Sequence, residues 1–512
     1  MYRCLVVLPL FMCMLTSPLL AQLQQPARAE VDINEDDGYY TLLSAGEKGL
    51  LLFNELESKR KDGQFHLGIH HYDTSLQEQW SWEYTEAGNM VFTGYDYDAG
   101  NLYLLFGKGP YTPKEYKIVK VDIETRDTAS YTVKRIIPIE LTDFLVNGNT
   151  ALFIGVVNYK PAVMHFNFET DQPKVLQGIY TNAGDLVDLK LDRRQNEIDV
   201  IISERGYNRN FTFNVKTYNE EGDLVSSTRL RPGREYSLLS GTTTSLSNGD
   251  KMIIGTYSER RSQYSQGVFM ARISDRKQQD IRFVNYADLD NFFQYMRDKR
   301  EDRIQRRIER KRQKGKEPRF NYRLMVHEII EREGEYIVVA EAYYPRYQAP
   351  YPYFAGLNAD WALRRSYRGG SNSDVTFDGY RYTHAIVLGF DDAGALLWDN
   401  SFEIMDVISF ELEQYVSVSP DKDHVVLLYN YENVLRSKLI AKDEVIDGKS
   451  EEDIRLKHED DEARQGHGEE AGLQHWYGKY FYAYGIQKIK NFKDGDVDLS
   501  REVFYINKIT YK

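Results

Sequence analysis

Three histidines crowd one short stretch: His66, His70 and His71 in HLGIHH, the densest such group in a chain of 512 residues. On a strand His66 and His70 share a face while His71 points away, because successive side chains alternate. Two separated imidazoles with no third ligand on their face make a poor zinc site. The reading is ordinary strand residues and no metal. His327–Glu331, HEIIE, resembles half of a zinc-protease helix, but Glu331 stands where the second histidine is needed and the segment reads as a strand. Asp494, Asp496 and Asp498 alternate like the early ligands of a calcium loop. The twelfth position is Tyr505, not a bidentate Glu, and the central glycine is missing. Asp32, Asn34 and Asp36 fail similarly, with Leu43 at the twelfth position. No Gly-x-Ser-x-Gly elbow, Walker A loop or dinucleotide fingerprint occurs. A glycosidase pair needs two carboxylates about 5–10 Å apart, which spacing in sequence does not fix. No catalytic residue and no cofactor are therefore assigned.

The more distinctive groups suit a surface. Between Arg297 and Arg319 there are 12 basic and 5 acidic residues, a balance of +7 in a chain whose net charge is −13. Leu289, Phe292, Phe293, Met296, Ile304 and Ile308 recur every three or four residues there, as an amphipathic helix requires. The spacing predicts a helical insertion over 288–318, started by Asp288 or Asp290 and stopped by Gly315 and Pro318. Arg300, Arg303, Arg307 and Arg310 are its candidate binding residues. A second insertion, 343–380, is aromatic and proline-rich, with Tyr347, Tyr351, Tyr353 and Trp361 as candidates. Tyr, Trp and Arg dominate protein-binding hot spots, and prolines forbid a regular ladder. A third, 443–474, is acidic; from Asp443 to Glu470 there are 12 Asp+Glu and 4 Lys+Arg. It lacks periodicity and reads as a mobile loop.

The chain's N-terminus reads as a secretory signal over 1–29. Arg3 is the basic start, Leu5–Leu20 the apolar run, and Ala27-Arg28-Ala29 a small-x-small cleavage site, with a cut after Ala21 as the weaker alternative. The run is short for a membrane span, and no later stretch approaches about 20 apolar residues. Both cysteines, Cys4 and Cys13, lie inside the signal, which leaves no thiol for disulfides, thiolate metal sites or catalysis. Export to the periplasm or outer membrane of a Gram-negative bacterium is the expectation. The acidic balance argues against nucleic acid as a partner.

These candidates sit on a repeating frame. An alternating strand, a turn and a second strand recur from Phe65, Tyr116, Ala162, Phe211, Val268 and His384. The turns fall at Asp73, Asp122, Phe168, Asn219, Ser274 and Asp391, at intervals of about fifty residues apart from the last, which absorbs the helical and aromatic insertions. Two further apolar runs precede each copy. Four strands per period is the signature of a β-propeller blade. A pair of β-sandwiches or a solenoid is the competing architecture. Runs from His424 and Glu502 read as the inner and third strands of a closing blade, with Val31–Ile33 as its outer strand. The expected fold is all-β, a single propeller domain over 30–512 with seven four-stranded blades, six or eight being the alternatives. The four-strand period and the YDTSLQEQW turn resemble secreted propellers of the WD40, kelch and quinoprotein-like kind. No Gly-His or Trp-Asp pair and no kelch double glycine recurs at matching positions, so the resemblance implies architecture alone.

Strand direction alternates within a blade. The loop between second and third strands and the loop to the next blade therefore emerge on one face. That places the helical and aromatic insertions side by side, and the acidic one too if it joins the second and third strands of the last blade. Its charge would then neutralise the basic helix. The function that follows is a non-catalytic binding or scaffold propeller of the envelope. It would engage a protein partner through this face, with anionic lipid or lipopolysaccharide as a further contact. The alternative is a carbohydrate-active, hydrolase or lyase-like propeller or a glycan-binding protein, with the aromatic loop as a wall and buried carboxylates in the central funnel.

Overall fold

Eight antiparallel sheets succeed one another along the chain. The computed structural model describes residues 23–511 apart from 34–37, 58, 60–62, 110–111, 182–183, 207–209, 260–261, 349–375, 422, 464–470 and 492–499. Each sheet is a propeller blade; blades 1 to 7 are built on four sequential strands, with the short Ile408–Ser409 added to blade 6, and blade 1 sets the pattern with Tyr40–Ser44, Leu50–Glu55, Gln64–Tyr72 and Glu78–Ala87. The outer strand of that blade alternates exposed and half-buried residues, while the second strand is buried almost throughout. Neighbouring blades share apolar clusters: Leu51, Phe53, Leu67 and Ile69 of blade 1 pack with Leu102, Leu104 and Val119 of blade 2.

The expected turn positions all fall at or just after the end of the third strand of a blade. There the side chain of an Asp or Asn takes backbone N–H groups of the turn, which stabilises the reversal locally. Asp73 Oδ1 accepts from Ser75 at 2.8 Å, Asp122 Oδ1 from Thr125 at 2.8 Å, and Asp391 Oδ1 from Ala395 at 2.7 Å.

The blade count corrects the expectation of seven to eight. The segments from His424 and Glu502 belong to different blades. Blade 7 runs Ser417–Pro420, Val425–Tyr431, Val434–Ala441 and Glu444–Asp453. Its outer strand is the first half of the acidic stretch, so 443–474 is not one loop. Glu444–Asp453 is exposed at most positions and carries no apolar alternation, which is why charge masked a strand. Asp461–Ala463 pairs with blade 8 as well. The acidic stretch follows the third strand of blade 7 rather than its second.

Blade 8 closes the ring with both ends of the chain. Gly472–Tyr477, Tyr480–Asn491 and Ser500–Tyr511 are joined by Leu23–Asp32 as the outer strand, with Arg28 opposite Asn507 and Val31 opposite Phe504. Closure removes the open edge that would otherwise invite pairing with another chain. The closing strand begins within the 1–29 segment assigned to a leader.

The helical insertion is shorter than 288–318. The helix, α1, spans Asp298–Gln313, and its N-cap is Arg297, not Asp288 or Asp290. The chain before it is held out of helical form by blade 6. Asp399 accepts the backbone N–H of Asp290 at 2.9 Å and of Asn291 at 2.8 Å, and Ser401 Oγ accepts that of Tyr295 at 3.1 Å. Those donors are then lost to a helical ladder. Gly315, at φ +61°, follows the helix in the left-handed region that glycine favours. The apolar stripe packs as expected: Leu289, Phe292, Phe293 and Ile308 are buried in one core cluster with blades 5 and 6, and Met296 and Ile304 lie against it.

Candidate functional site

The inner strands of five blades carry the same irregularity. Each slips register by one residue against its neighbour, between Phe92 and Gly94, Leu141 and Asp143, Leu186 and Asp188, Leu238 and Ser240, and Val326 and Glu328. The extra residues are Thr93, Thr142, Val187, Leu239 and His327. A bulge re-aims its side chain and bends the strand. In blades 2 and 3 the extra residue is a threonine whose hydroxyl donates to the second strand, Thr93 to Leu105 O and Thr142 to Ile154 O, each at 3.2 Å. Close approach behind a bulge excludes a side chain: a Cβ at Gly255 would come within 2.0 Å of Ser240 O.

The bulges of blades 4, 5 and 6 together build a cavity of about 660 Å³ at the mouth of the central channel. Val187, Leu239 and His327 all line it, with Asp185, Asp188, Ser203, Phe211, Ser240, Gln263, Ser265, Arg323 and Tyr343. It opens beside the start of the inner strands, on the face from which the helical insertion rises. The return of that insertion forms part of the wall: Ser265 N donates to Tyr322 O at 2.8 Å, and Arg323 lies over the Tyr264 ring at 5.5 Å.

His327 has a built environment. Its Nε2 lies 3.1 Å from Oε2 of Glu341, which is fully buried in the second strand of blade 6. Glu341 accepts the backbone N–H of Val416 at 2.6 Å and of Tyr415 at 3.1 Å. Next to His327, Glu328 accepts from Gln414 Nε2 at 2.7 Å. Asp188 Oδ2 is shut off from solvent without a hydrogen-bond partner among the described residues. Burial pushes the Asp188 carboxyl up and the Lys190 ammonium down, Asp188 and Glu328 opposing the latter shift. Farther round the channel, burial raises Asp143 and pushes Asp96 up to about 6, against the pull of the Val146 N–H on its Oδ2. At the opposite end, ion pairs tie blade 4 to two others: Arg193 to Asp98 at 3.3 Å and Arg194 to Glu331 at 2.6 Å.

Arg300, Arg303, Arg307 and Arg310 are all exposed along α1. No carboxylate of the described residues lies within ion-pairing distance of these four. The insertion's ion pairs involve other arginines: Arg306 with Asp302 at 3.9 Å, Arg312 with Asp288 at 2.5 Å and Arg319 with Glu259 of blade 5 at 3.2 Å. Among the described residues the acidic stretch makes no ion pair with α1, so cis-neutralisation gains no support there. Of the aromatic candidates, Tyr347 is half-buried in the second strand of blade 6, 5.8 Å from the Phe377 ring. That strand runs Glu335–Gln348 and its neighbour Thr376–Asp391, so the ends of the 343–380 segment are paired strand, not loop. Tyr351, Tyr353 and Trp361 lie outside the described residues.

The other candidates disperse. His66 Nδ1 meets Glu83 at 2.8 Å, His70 Nδ1 meets Glu78 at 2.9 Å, and His71 Nε2 meets Lys48 O at 2.8 Å. His327–Glu331 lies on a strand, as read. Asp494, Asp496, Asp498, Asn34 and Asp36 fall outside the described residues. The cavity itself was missed, because a bulge breaks the very alternation by which a strand is read.

No family model matches the chain. No curated protein matches it either. Among solved structures it is similar to the polysaccharide lyase Uly1, with a TM-score of 0.39 and 8% identity over 81% of this chain and 89% of that one. It is also similar to the tricorn protease, at 0.37 and 9% over 84% and 36%. A functionally unknown protein from Desulfotomaculum acetoxidans gives 0.35 and 10% over 75% and 95%.

Proposed function

We propose that this chain is a non-catalytic binding propeller of a bacterial cell envelope, exported by its N-terminal leader, that docks an acidic protein surface on its elaborated face. One observation carries the reading. The four arginines Arg300, Arg303, Arg307 and Arg310 are exposed, with no carboxylate of the described residues within ion-pairing distance, while the helix that bears them is fixed to the core through Ile308, which is 3% exposed. A helix fixed in place presents its guanidinium groups as an ordered row, and guanidinium suits bidentate recognition of carboxylates. Tyr347 stands on the same face, and Tyr351, Tyr353 and Trp361 would extend the surface as aromatic anchors.

The test is crosslinking and co-purification from native envelopes with charge reversal, Arg303→Glu with Arg307→Glu. Deleting 288–318 would be a poor probe, since it would strip Leu289, Phe292, Phe293 and Ile308 from the core. A discrete protein captured by the native chain and lost on charge reversal is the expected result. Equal capture by both forms, or flotation with anionic vesicles and no captured protein, would sink the reading.

A further inference from the structure

Beyond the arginine row, we propose that the cavity built by the bulges of blades 4, 5 and 6 is a binding site for a neutral saccharide. Its wall mixes hydrogen-bonding groups of both kinds with ring faces. Asp188 Oδ2 is a buried acceptor left without a partner among the described residues. Ser203 supplies a hydroxyl, Gln263 an amide, and His327 an imidazole whose buried Nε2 faces Glu341, while the hydroxyls of Ser240 and Ser265 are turned to Leu324 O and Tyr322 O. Phe211 and Tyr343 supply rings at the rim. Sugar hydroxyls donate and accept at once, which suits a wall of carboxylate, hydroxyl and amide groups. A buried acceptor without a donor is costly, and a hydroxyl delivered by a ligand removes that cost.

The charges select against an acidic sugar. A carboxylate or sulfate in the cavity would face Asp185 and Asp188 at the wall, with Glu328 and Glu341 just behind. Arg323 lines the wall, and the Lys190 ammonium is already balanced by Asp188 and Glu328. Burial raises the Asp188 carboxyl, and an anionic ligand would add to that desolvated charge. The volume, about 660 Å³, falls within the range of small-ligand pockets. The site does not depend on the arginine row, which lies on the helix outside the cavity wall.

The experiment uses the full chain in calorimetric titrations with cellohexaose, xylohexaose, laminarihexaose, mannohexaose and chitohexaose, with a hexamer of galacturonate as the anionic control. One or more neutral sugars binding, with Asp188→Asn and His327→Gln each weakening that binding about tenfold or more, is the expected result. Replacing Arg300, Arg303, Arg307 and Arg310 with Ala should leave the same binding unchanged, which separates this site from the docking surface. Asp188→Asn keeps the side chain's shape, and His327→Gln gives an independent reading should the first variant fold poorly. No neutral sugar binding more tightly than about 1 mM, tighter binding of the galacturonate hexamer, or sugar binding indifferent to both variants would each overturn the assignment.

Discussion

His327 Nε2 and Glu341 Oε2 stand 3.1 Å apart across the first two strands of blade 6, one side chain at the channel mouth and the other fully buried. The bulge between Val326 and Glu328 makes the meeting possible, because it adds the residue that turns into the cavity. Glu341 also fixes the chain entering blade 7 by accepting N–H groups of Tyr415 and Val416. One carboxylate thus joins the cavity wall to the junction between two blades.

Glu341→Ala should destabilise the protein by about 3–5 kcal/mol, the cost of leaving buried charge or donors unpaired. Glu341→Gln keeps an acceptor for Val416 and should lose less than half of that. Chemical denaturation of both variants checks the order. Equal losses would mean that volume, not the hydrogen bonds, matters there.

Asp96 gives a pH signature. Burial raises its carboxyl to about 6 in the folded chain, above its ordinary value of 3.8. The folded state then holds the proton that the unfolded state releases, so this group's contribution is full below about 4 and is lost as pH rises through 6. Asp96→Asn keeps an acceptor for Val146 and abolishes the titration. It should raise stability at pH 7 by roughly 2–3 kcal/mol and flatten the dependence between pH 4 and 6. Denaturant midpoints at pH 4.5 and 7 measure it, and an unchanged slope would refute it.

His384 works in the opposite sense. It is fully buried, stacks on Tyr295 at 3.7 Å with planes 7° apart, and bonds Thr383 through Nδ1 at 2.9 Å. Burial pushes its imidazole down to about 3 from 6.5. The unfolded chain takes up the proton first, so stability is full above 6.5 and falls as pH drops towards 3. His384→Phe keeps the stack and should blunt acid unfolding below pH 6. Retention of the wild-type acid limb in that variant would exclude the histidine as its source.

Much of this frame was legible. The third-strand turns at Asp73, Asp122, Asn219 and Asp391 could be read because a side-chain oxygen tied to turn N–H groups leaves a short polar mark between alternating runs. Ile308 and Phe292 could be read because a helix and the chain entering it bury one stripe. The eighth blade was hidden because its neighbour's outer strand, Glu444–Asp453, is too charged to look like a strand. The start of α1 was misplaced because its upstream donors go to Asp399, more than a hundred residues away. The cavity was hidden because it needs three bulges on three blades, and nothing local marks Val187, Leu239 and His327 as belonging together.

The closing strand decides where a leader could be cut. Arg28 Nε pairs with Glu30 at 2.7 Å, and Arg501 bridges Glu30 at 3.2 Å and Asp461 at 2.6 Å. Despite burial, which pushes it up, Asp461 is held down at about 2 by Arg501 and Asn491. Arg28 also donates to Asn507 and Gln487, each at 2.9 Å. A cut after Ala29 would remove Leu23–Ala29, which pair with residues 506–511, and would leave an open sheet edge. A cut after Ala21 would keep the strand whole. If the chain is exported as proposed, its mature form should therefore begin at Gln22, as terminal sequencing or intact mass would show. A chain started at Glu30 should lose about 3–5 kcal/mol, the cost of removing one partner from a buried ion network, and should self-associate. A native start at Glu30, with the stability of the longer chain, would refute the inference.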